Sequence, residues 1–338
     1  MRAVGYQIPG PIENPDALMD IELPRPQAGG RDLLVEVRAI SVNPVDTKVR
    51  TRAKAEAGQW KVLGFDAVGV VTEVGPDVSR FKLGDEVFYA GDITRPGSNA
   101  EFQLVDERIV GHKPKSLSWA EAAALPLTSI TAWEALFDRL DVKRAVPGAS
   151  SILIIGGGGG VGSIAVQLVA KLTDLTVIAT ASRPETTEWI QTLGAHHVLN
   201  HAKPLAAELT AAGLEAPGFV ISTTHTGQHL GEIAKLIAPQ GRFALIDDPK
   251  SLDILAFKQK AVSVHWEFMF ARSMFSTADM EAQAALLDEV SRLVDAGSIR
   301  TTISENFGTI NAKNLMRAHA LLESGRAQGK IVLEGFAA

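Results

Sequence analysis

Residues 151–172 read SILIIGGGGGVGSIAVQLVAKL, an apolar run, a glycine run and an amphipathic stretch in direct succession. The apolar run, Ser151–Ile155, has the length and composition of a fully buried strand. In Val161–Leu172 apolar residues recur every three or four positions, as they do in a helix that packs one face against a sheet. The stretch therefore predicts a strand, a tight turn and a helix.

The glycines between the strand and the helix match the pattern Gly-x-Gly-x-x-Gly. Gly157, Gly159 and Gly162 take the motif positions, and Gly160 and Val161 lie between the last two. Glycines let the backbone approach a pyrophosphate closely, and a helix N-terminus offers free N–H groups. A flexible glycine linker is the alternative, but linkers lack the flanking strand and helix periodicity. These five residues are therefore predicted to bind a dinucleotide.

The end of the next predicted strand indicates which dinucleotide binds. When the ligand is NAD, an acidic side chain about 20 residues after the glycines holds the ribose 2′-hydroxyl. Here the strand Thr176–Ala181 is followed by Ser182 and Arg183, a hydroxyl and a guanidinium that suit a 2′-phosphate. The alternative for Arg183 is a solvated position at the start of a helix. We expect Ser182 and Arg183 to favour NADPH over NADH.

The chain is long enough for two domains, because 338 residues exceed one ordinary compact domain. From about residue 125 to 265 predicted strands and helices alternate, which implies a doubly wound parallel sheet. Residues 1 to about 120 contain short apolar runs broken by Gly and Pro, and in Leu34–Val42 apolar and polar residues alternate. This first part is predicted to be a β structure.

Two helices are predicted after residue 265. Ser276 and Asp279 resemble a capping box at the start of the first helix, which should end before Gly297. The second should run from Asn311 to near Gly325.

Composition excludes several classes of function. A net charge of −6 argues against a nucleic-acid partner, which requires a basic face. No run approaches the roughly 18 apolar residues of a membrane span, so we expect no membrane association. The absence of cysteine removes disulfides and thiolate zinc sites. The first residues do not resemble a secretory signal, and we expect a cytoplasmic location.

Four short motifs carry a resemblance to a known superfamily. They are Ser41–Thr47 (SVNPVDT), Gly64–Asp66 (GFD), Gly84–Val87 (GDEV) and Gly159–Gly162 (GGVG). With the order of the predicted domains, they resemble the medium-chain dehydrogenases/reductases over nearly the whole chain. The segments 265–270 (HWEFMF) and 329–332 (GKIV) are similar to the quinone oxidoreductases and to the branch labelled zinc-type alcohol dehydrogenase-like.

The resemblance implies an α/β fold with two domains. A GroES-like, β-rich catalytic domain would comprise residues 1–124, completed by 266–338. A Rossmann domain with a doubly wound parallel sheet would comprise residues 125–265 and bind the cofactor. The resemblance also implies a homodimer. The run Ala261–Phe270 supports this, because it is predicted to be a long apolar strand whose edge would otherwise stay open.

The chain departs from its zinc-dependent relatives at the metal position. Those relatives place Cys, His and Cys around the metal, with the His in a Gly-His-Glu step, whereas this chain has Gly64-Phe65-Asp66 and no Cys. We therefore expect no metal. His196, His197 and His201 are close in sequence but flank a predicted strand, where alternate side chains face opposite ways. Solvated or hydrogen-bonded imidazoles are the favoured interpretation.

A site without zinc favours activated substrates. Oxidation of a simple alcohol loses its Lewis acid, whereas quinones and conjugated enones accept a hydride when a few hydrogen-bond donors stabilise the resulting anion. The predicted function is NADPH-dependent reduction of quinones or enones. The alternatives are an enoyl or alkenal reductase specific for one metabolite, and an NADPH-binding redox sensor or structural protein without turnover.

The resemblance assigns Asn43 to the substrate pocket as a donor to the substrate carbonyl; its alternative role is a turn residue before Pro44. Lys48 stands where quinone oxidoreductases often carry a tyrosine, and it is a candidate proton donor. The alternatives for Lys48 are a solvated side chain or neutralisation of Asp46. The resemblance places Thr128, Phe268, Phe270 and Lys330 at the cofactor and Phe65 and Phe270 in the substrate pocket. The alternatives are an ordinary helix-start hydroxyl for Thr128 and simple core packing for the aromatic residues.

Overall fold

The computed structural model describes residues 1–336, which form two compact units. The first consists of Met1–Ile130 and the chain from Phe270 onwards, and the second of Thr131–Met269. The domain limits predicted above, 1–124 with 266–338 and 125–265, differ from these by a few residues.

The strands alternate regularly with helices in the middle of the chain. The strands are β1 (Arg2–Tyr6), β2 (Met19–Glu22), β3 (Asp32–Val42), β4 (Lys61–Val62), β5 (Ala67–Val74), β6 (Glu86–Tyr89), β7 (Phe102–Asp106), β8 (Val110–His112), β9 (Ser151–Ile155), β10 (Thr176–Ala181), β11 (His197–Asn200), β12 (Phe219–Ser222), β13 (Arg242–Leu245), β14 (Ser263–Trp266), β15 (Ile303–Asn306) and β16 (Lys330–Glu334).

The helices follow in the same order along the chain. They are α1 (Pro44–Arg52), α2 (Trp119–Ala123), α3 (Pro126–Trp133), α4 (Gly160–Leu172), α5 (Pro184–Thr192), α6 (Leu205–Ala211), α7 (Thr226–Leu236), α8 (Ala271–Met274), α9 (Glu281–Asp295) and α10 (Ala312–Glu323). Short 3₁₀ helices cover Glu107–Ile109 and Ile254–Lys260, and a π-helical turn covers Glu134–Arg139. None of the helices in residues 1–336 combines the length and apolar composition needed to cross a bilayer.

The first unit is built on mostly antiparallel sheets. Its large sheet has the order β15-β16-β3-β5-β6-β8, with β7 also paired to β3, and a small sheet has the order β2-β1-β4. In β3, Val35, Val37 and Ala39 are buried while Glu36 is partly exposed and Arg38 is exposed, so the predicted alternation holds over residues 35–39. The late strand β16 pairs with β3, Ile331 opposite Val42. The β-rich domain is thus completed by the C-terminal part of the chain.

The second unit is a parallel sheet with the order β11-β10-β9-β12-β13-β14. All five residues of the central strand β9 are buried, because helices cover both faces of such a sheet. The strand order reverses between β9 and β12, and ligands of doubly wound sheets bind at the carboxyl ends of the strands beside this point. The predicted α/β fold with a Rossmann domain is confirmed.

Two predicted elements differ from the structure. Helix α9 begins at Glu281, because Ser276 has a φ of 46° and Thr277 donates to Asp279 at 2.7 Å, forming a turn before the helix. In place of the predicted strand Ala261–Phe270, the structure has the shorter strand β14 (Ser263–Trp266). Ala261 has a left-handed φ of 51° that ends the preceding 3₁₀ helix.

Candidate active site

The glycine turn leaves its outer side open to a ligand. A Cβ added to Gly162 would lie 2.2 Å from the Gly156 oxygen, so only glycine fits there. A Cβ on Gly159 would meet nothing nearer than a backbone oxygen at 3.6 Å. Among the described residues no side chain caps α4, and the N–H groups of its first turn can therefore bind phosphate oxygens. The predicted positions Gly157, Gly160 and Val161 lie in this turn, which fits a pyrophosphate.

The carboxyl end of β10 carries the residues predicted to read the ribose. Ser182 is exposed, and Arg183 is about one third exposed, with its Nε 3.3 Å from Glu185 Oε1. A surface pocket of about 430 Å³ lies beside them, lined in part by Ser182, Arg183 and Asn200. Because β10 and β9 are neighbouring parallel strands, this end lies at the same edge of the sheet as the glycine turn. A hydroxyl and a guanidinium at this place fit a 2′-phosphate.

A buried ion pair joins distant parts of the first unit. Lys330 on β16 donates to Asp66 Oδ2 at 2.9 Å, to the Val42 carbonyl at 3.1 Å and to the Asn43 side-chain oxygen. The Asn43 amide nitrogen donates in turn to Asp66 Oδ2 at 2.7 Å. All three side chains are at most 3% exposed. The ammonium therefore has an acceptor for each of its hydrogens, as a buried cation requires.

Two carboxylates of this site hold backbone N–H groups. Asp66 Oδ1 accepts from Leu127 at 2.7 Å, and Asp46 accepts from Asn43 at 2.8 Å and from Gly64 at 3.0 Å. Burial raises the pKa of Asp46 from 3.8 to about 7, while these N–H groups and Lys330 act in the opposite direction. Burial also raises the pKa of Asp66, which Lys330 counters. Asp46 thus fixes the start of α1 against the turn at Gly64.

The structure places the remaining predicted residues of the first unit as follows. Phe65 and Phe270 are buried and meet edge to face, with ring centroids 5.3 Å apart. Thr128 is buried and donates to the Leu125 carbonyl at 3.1 Å, as a hydroxyl near a helix start does. Lys48 is half-buried on α1. Asn43 and Lys330 belong to the buried network described above. The predicted contact of Asn43 with substrate therefore requires its amide nitrogen to exchange the hydrogen bond to Asp66 for one to the substrate.

Two family models match the chain in succession. The model described as alcohol dehydrogenase GroES-like domain matches residues 29–131, and the model described as zinc-binding dehydrogenase matches residues 193–333. A zinc-type alcohol dehydrogenase-like protein of Staphylococcus aureus (strain MSSA476) is 40% identical over 336 residues, 98% of this chain and 99% of that protein. The chain belongs to the medium-chain dehydrogenase/reductase superfamily.

Further relatives of this superfamily differ in the names they carry. The human mitochondrial NAD(P)H oxidoreductase RTN4IP1 is 30% identical over 334 residues, 89% of this chain and 81% of that protein. A crystal structure of a zinc-dependent alcohol dehydrogenase protein from Rhizobium etli CFN 42 is 65% identical, with a TM-score of 0.98 over 100% of this chain and 99% of that chain. The quinone oxidoreductase from Coxiella burnetii is 27% identical, with a TM-score of 0.80 over 99% of both chains. Membership makes this chain an oxidoreductase that uses a nicotinamide cofactor.

The residues at the superfamily's metal position do not fit zinc. At the Gly-His-Glu step of zinc-dependent members, Phe65 offers no ligand atom, and Asp66 is held by the Lys330 ammonium, whose charge opposes a divalent cation. Of the three histidines close in sequence, His196 Nδ1 accepts from the Val177 N–H at 2.9 Å, His201 Nδ1 is hydrogen-bonded to the Thr180 hydroxyl at 3.0 Å, and His197 is exposed. Throughout residues 1–336, no three His, Cys, Asp or Glu side chains are grouped as a metal would need.

A buried acidic pair in the second unit carried no signal in the sequence. Glu134 in the π-helical turn and Glu267 after β14 are almost completely buried, and both lie near Arg139. The Arg139 Nε is 2.9 Å from Glu267 Oε2, and its NH2 is 3.9 Å from Glu134 Oε2. Burial, and then the charge of Glu134, raise the pKa of Glu267 from 4.5 to about 9. The raised pKa favours the protonated form of Glu267, although Arg139 acts in the opposite direction. Glu267 directly precedes Phe268, and its side chain is buried whereas the Phe268 ring is exposed.

The buried ion pair predicts the behaviour of the Lys330→Met variant. Methionine keeps the apolar stem but leaves the Asp66 carboxylate buried without its cation, which should cost about 3 kcal/mol or more of unfolding free energy at pH 7. The loss should shrink at lower pH, because protonation removes the unpaired charge. Urea denaturation at several pH values measures both effects. The control Lys330→Met/Asp66→Asn should recover most of the stability; a single variant as stable as wild type contradicts the role of the pair.

The raised pKa of Glu267 predicts how stability depends on pH. Folding favours the protonated form of Glu267, so the contribution of this group to the free energy of unfolding is complete below about pH 4.5 and is lost as pH rises towards 9. Glu267→Gln cannot ionise. Its free energy of unfolding should therefore increase relative to that of wild type as pH rises from 5 to 9, by at most about 1.4 kcal/mol per pH unit. Thermal unfolding across this range measures the gain. Substitution of the exposed Glu13 by Gln is the control, and parallel curves for Glu267→Gln would refute the prediction.

Proposed function

We propose that the protein is an NADPH-dependent reductase that transfers a hydride to quinones or conjugated enones without a metal. The observation that carries the proposal is the Lys330–Asp66 pair at the position where zinc-dependent relatives hold their metal. A lysine with all its hydrogens bonded cannot activate an alcohol as a zinc ion does. The name of one relative, quinone oxidoreductase, agrees with this substrate class, and the name of another, NAD(P)H oxidoreductase, agrees with the use of a nicotinamide cofactor.

The cofactor contacts in the proposal come from the second unit. The N–H groups at the start of α4 would hold the pyrophosphate, and Ser182 and Arg183 the 2′-phosphate. NADPH supplies the hydride when bound. No carboxylate follows β10 at the position that would hold the 2′-hydroxyl of NADH, because that strand ends in Ala181.

The substrate contacts in the proposal come from the first unit. A hydride that arrives at an electron-poor carbon leaves a negative charge on the substrate oxygen, which hydrogen-bond donors must stabilise. Asn43 and Lys48 are the donors we propose, with Phe65 and Phe270 as apolar walls. Lys48 would then deliver the proton that completes reduction.

Turnover measurements test the proposal. NADPH oxidation is followed with a panel of quinones, conjugated enones, saturated aldehydes and alcohols, and zinc is measured in the same protein sample. We expect turnover of quinones or enones, little reaction with alcohols, and no dependence on added zinc. Turnover of a single enone would narrow the function to a specific enoyl or alkenal reductase. Tight NADPH binding without any turnover would replace the reductase with a redox sensor or structural protein.

Arg183→Ala should separate the two cofactors. The loss of a charged hydrogen bond to the 2′-phosphate should weaken NADPH binding by about tenfold or more, roughly 1.4 kcal/mol, and leave NADH nearly unchanged. Dissociation constants for both cofactors measure the change. Arg144→Ala is the matched control, since Arg144 is exposed and lies in the loop before β9, on the amino side of that strand and away from the glycine turn at its carboxyl end. Equal losses for the two cofactors would show that Arg183 does not bind the 2′-phosphate.

Lys48→Met tests the proton donor. The variant keeps the stem and loses the charge, so a catalytic lysine predicts a fall in kcat of about 100-fold, an altered pH profile and preserved NADPH affinity. Lys54→Met, at an exposed lysine just beyond α1, is the control. If kcat stays within a factor of about two, Lys48 is solvated or serves only to neutralise Asp46.

We also propose that the protein is a homodimer. The strand β14 lies at the edge of the six-stranded sheet; Trp266, its last residue, is 54% exposed, and Phe268, two positions later, is 47% exposed. An open edge flanked by large apolar side chains is suited to pairing with a second copy. Light scattering should give twice the mass of the chain, and Trp266→Glu should lower it; a monomeric wild type rules the dimer out.

A further inference from the structure

Three histidines that are distant in sequence gather in the second unit. His201 follows β11, His225 follows β12 with a left-handed φ of 52°, and His229 lies in the first turn of α7. The ring centroids of His201 and His229 are 6.3 Å apart. We refer to His201, His225 and His229 as the histidine cluster. It lies at the carboxyl ends of the strands, where ligands of such sheets bind.

Hydrogen bonds connect the histidine cluster to the glycine turn. The Thr180 hydroxyl oxygen on β10 accepts from the Gly156 N–H at 3.0 Å and is hydrogen-bonded to His201 Nδ1 at 3.0 Å. On the other side, a Cβ on Gly156 would lie 2.4 Å from the Thr223 hydroxyl oxygen, so the loop that leads to His225 packs directly against the turn. The imidazoles therefore border the region that the glycine turn assigns to a dinucleotide.

Burial and neighbouring positive groups favour the neutral form of two imidazoles of the cluster, His201 and His229. His201 faces His229, His225 and Arg183, and its burial, followed by these positive neighbours, lowers its pKa. Burial and then His225 likewise lower the pKa of His229, against the opposing effect of Asp247 and Glu232.

The two carboxylates near His229 already have partners. Asp247 accepts from the Thr226 N–H at 2.9 Å, and Glu232 lies 2.7 Å from the Lys235 ammonium. His201 thus lies beside the permanent guanidinium of Arg183, and the charges of Asp247 and Glu232 near His229 do not outweigh the burial of that imidazole. An arriving dianion would find groups that can gain positive charge.

We propose that the histidine cluster is part of the cofactor site and that His201 and His229 take up a proton from solvent when adenosine 2′-phosphate binds. The inference rests on the proposed use of NADPH. A phosphate monoester brings a charge of about −1.5 to −2, which favours the imidazolium form of a nearby histidine. Arg183 provides the part of the attraction that does not change with pH, and the histidines provide a part that grows as pH falls. The preference for NADPH over NADH should therefore increase from pH 8.5 to 6.5.

Calorimetry of the whole protein tests this directly. Titration with NADPH, 2′,5′-ADP and NADH in buffers of different ionisation enthalpy gives the number of protons bound. We expect net uptake with NADPH and with 2′,5′-ADP, and clearly less with NADH. Where one proton is linked to binding, the NADPH dissociation constant should rise about tenfold per pH unit.

Paired variants locate the protons. His201→Gln/His229→Gln should abolish the uptake and weaken NADPH at pH 6.5 by about tenfold, with NADH nearly unchanged. His197→Gln is the matched control, because His197 is exposed at the amino end of β11, the strand that His201 follows. If the double variant does not fold, the proton count of the wild-type protein still decides the question.

The outcomes separate the inference from the proposed function. NADPH preference without proton uptake, or uptake that the double variant retains, overturns the inference and leaves the reductase proposal standing. Net proton release overturns it as well, because that is the sign expected when the phosphate itself loses its last proton, with a pKa near 6, on meeting Arg183. Equal affinity of the wild-type protein for NADPH and NADH at every pH overturns the proposed cofactor itself.

Discussion

The Lys330 ammonium and the Asp66 carboxylate lie 2.9 Å apart inside the first unit, and both side chains are almost completely buried. Removing two charges from water costs several kcal/mol for each ion, and their attraction offsets that cost only where every remaining hydrogen and lone pair is bonded. Asn43, the Val42 carbonyl and the Leu127 N–H supply those bonds. Strand β16, the start of α1 and the turn before β5 must therefore stay in register with one another.

The same constraint limits the chemistry of the first unit. A zinc ion with an open coordination position polarises a substrate oxygen strongly, whereas an ammonium whose hydrogens are all bonded provides a fixed charge but no vacant position. The function we propose therefore assigns to this site substrates that are activated by their own structure, as quinones and conjugated enones are. Several relatives carry zinc in their names, but at the corresponding position of this chain Phe65 offers no ligand atom and Asp66 is bonded to Lys330.

Local signals in the sequence predicted the second unit well. The glycine turn and the strands beside it were recognisable because a tight turn and a buried strand depend on residues close together in the chain. The Lys330–Asp66 pair could not be predicted in this way, since 264 positions separate its members. The start of α9 was missed for a different reason: Ser276 and Asp279 have the composition of a cap, but the backbone at Ser276 is left-handed.

The histidines show why proximity in sequence misleads. His196, His197 and His201 are neighbours in the chain, but β11 separates them: His197 begins the strand and His201 directly follows its end. The parallel sheet instead brings His201 to the residues that follow β12, because the carboxyl ends of its strands share an edge. That edge combines backbone N–H groups, the permanent guanidinium of Arg183 and imidazoles. By the inference above, these imidazoles provide a third kind of positive charge, which they gain when an anion binds. The first two kinds are present at every pH, so they set the basal affinity for a phosphorylated ligand. The third responds to the ligand's own charge, and it therefore adds to discrimination only where the ligand carries a phosphate that the competing dinucleotide lacks.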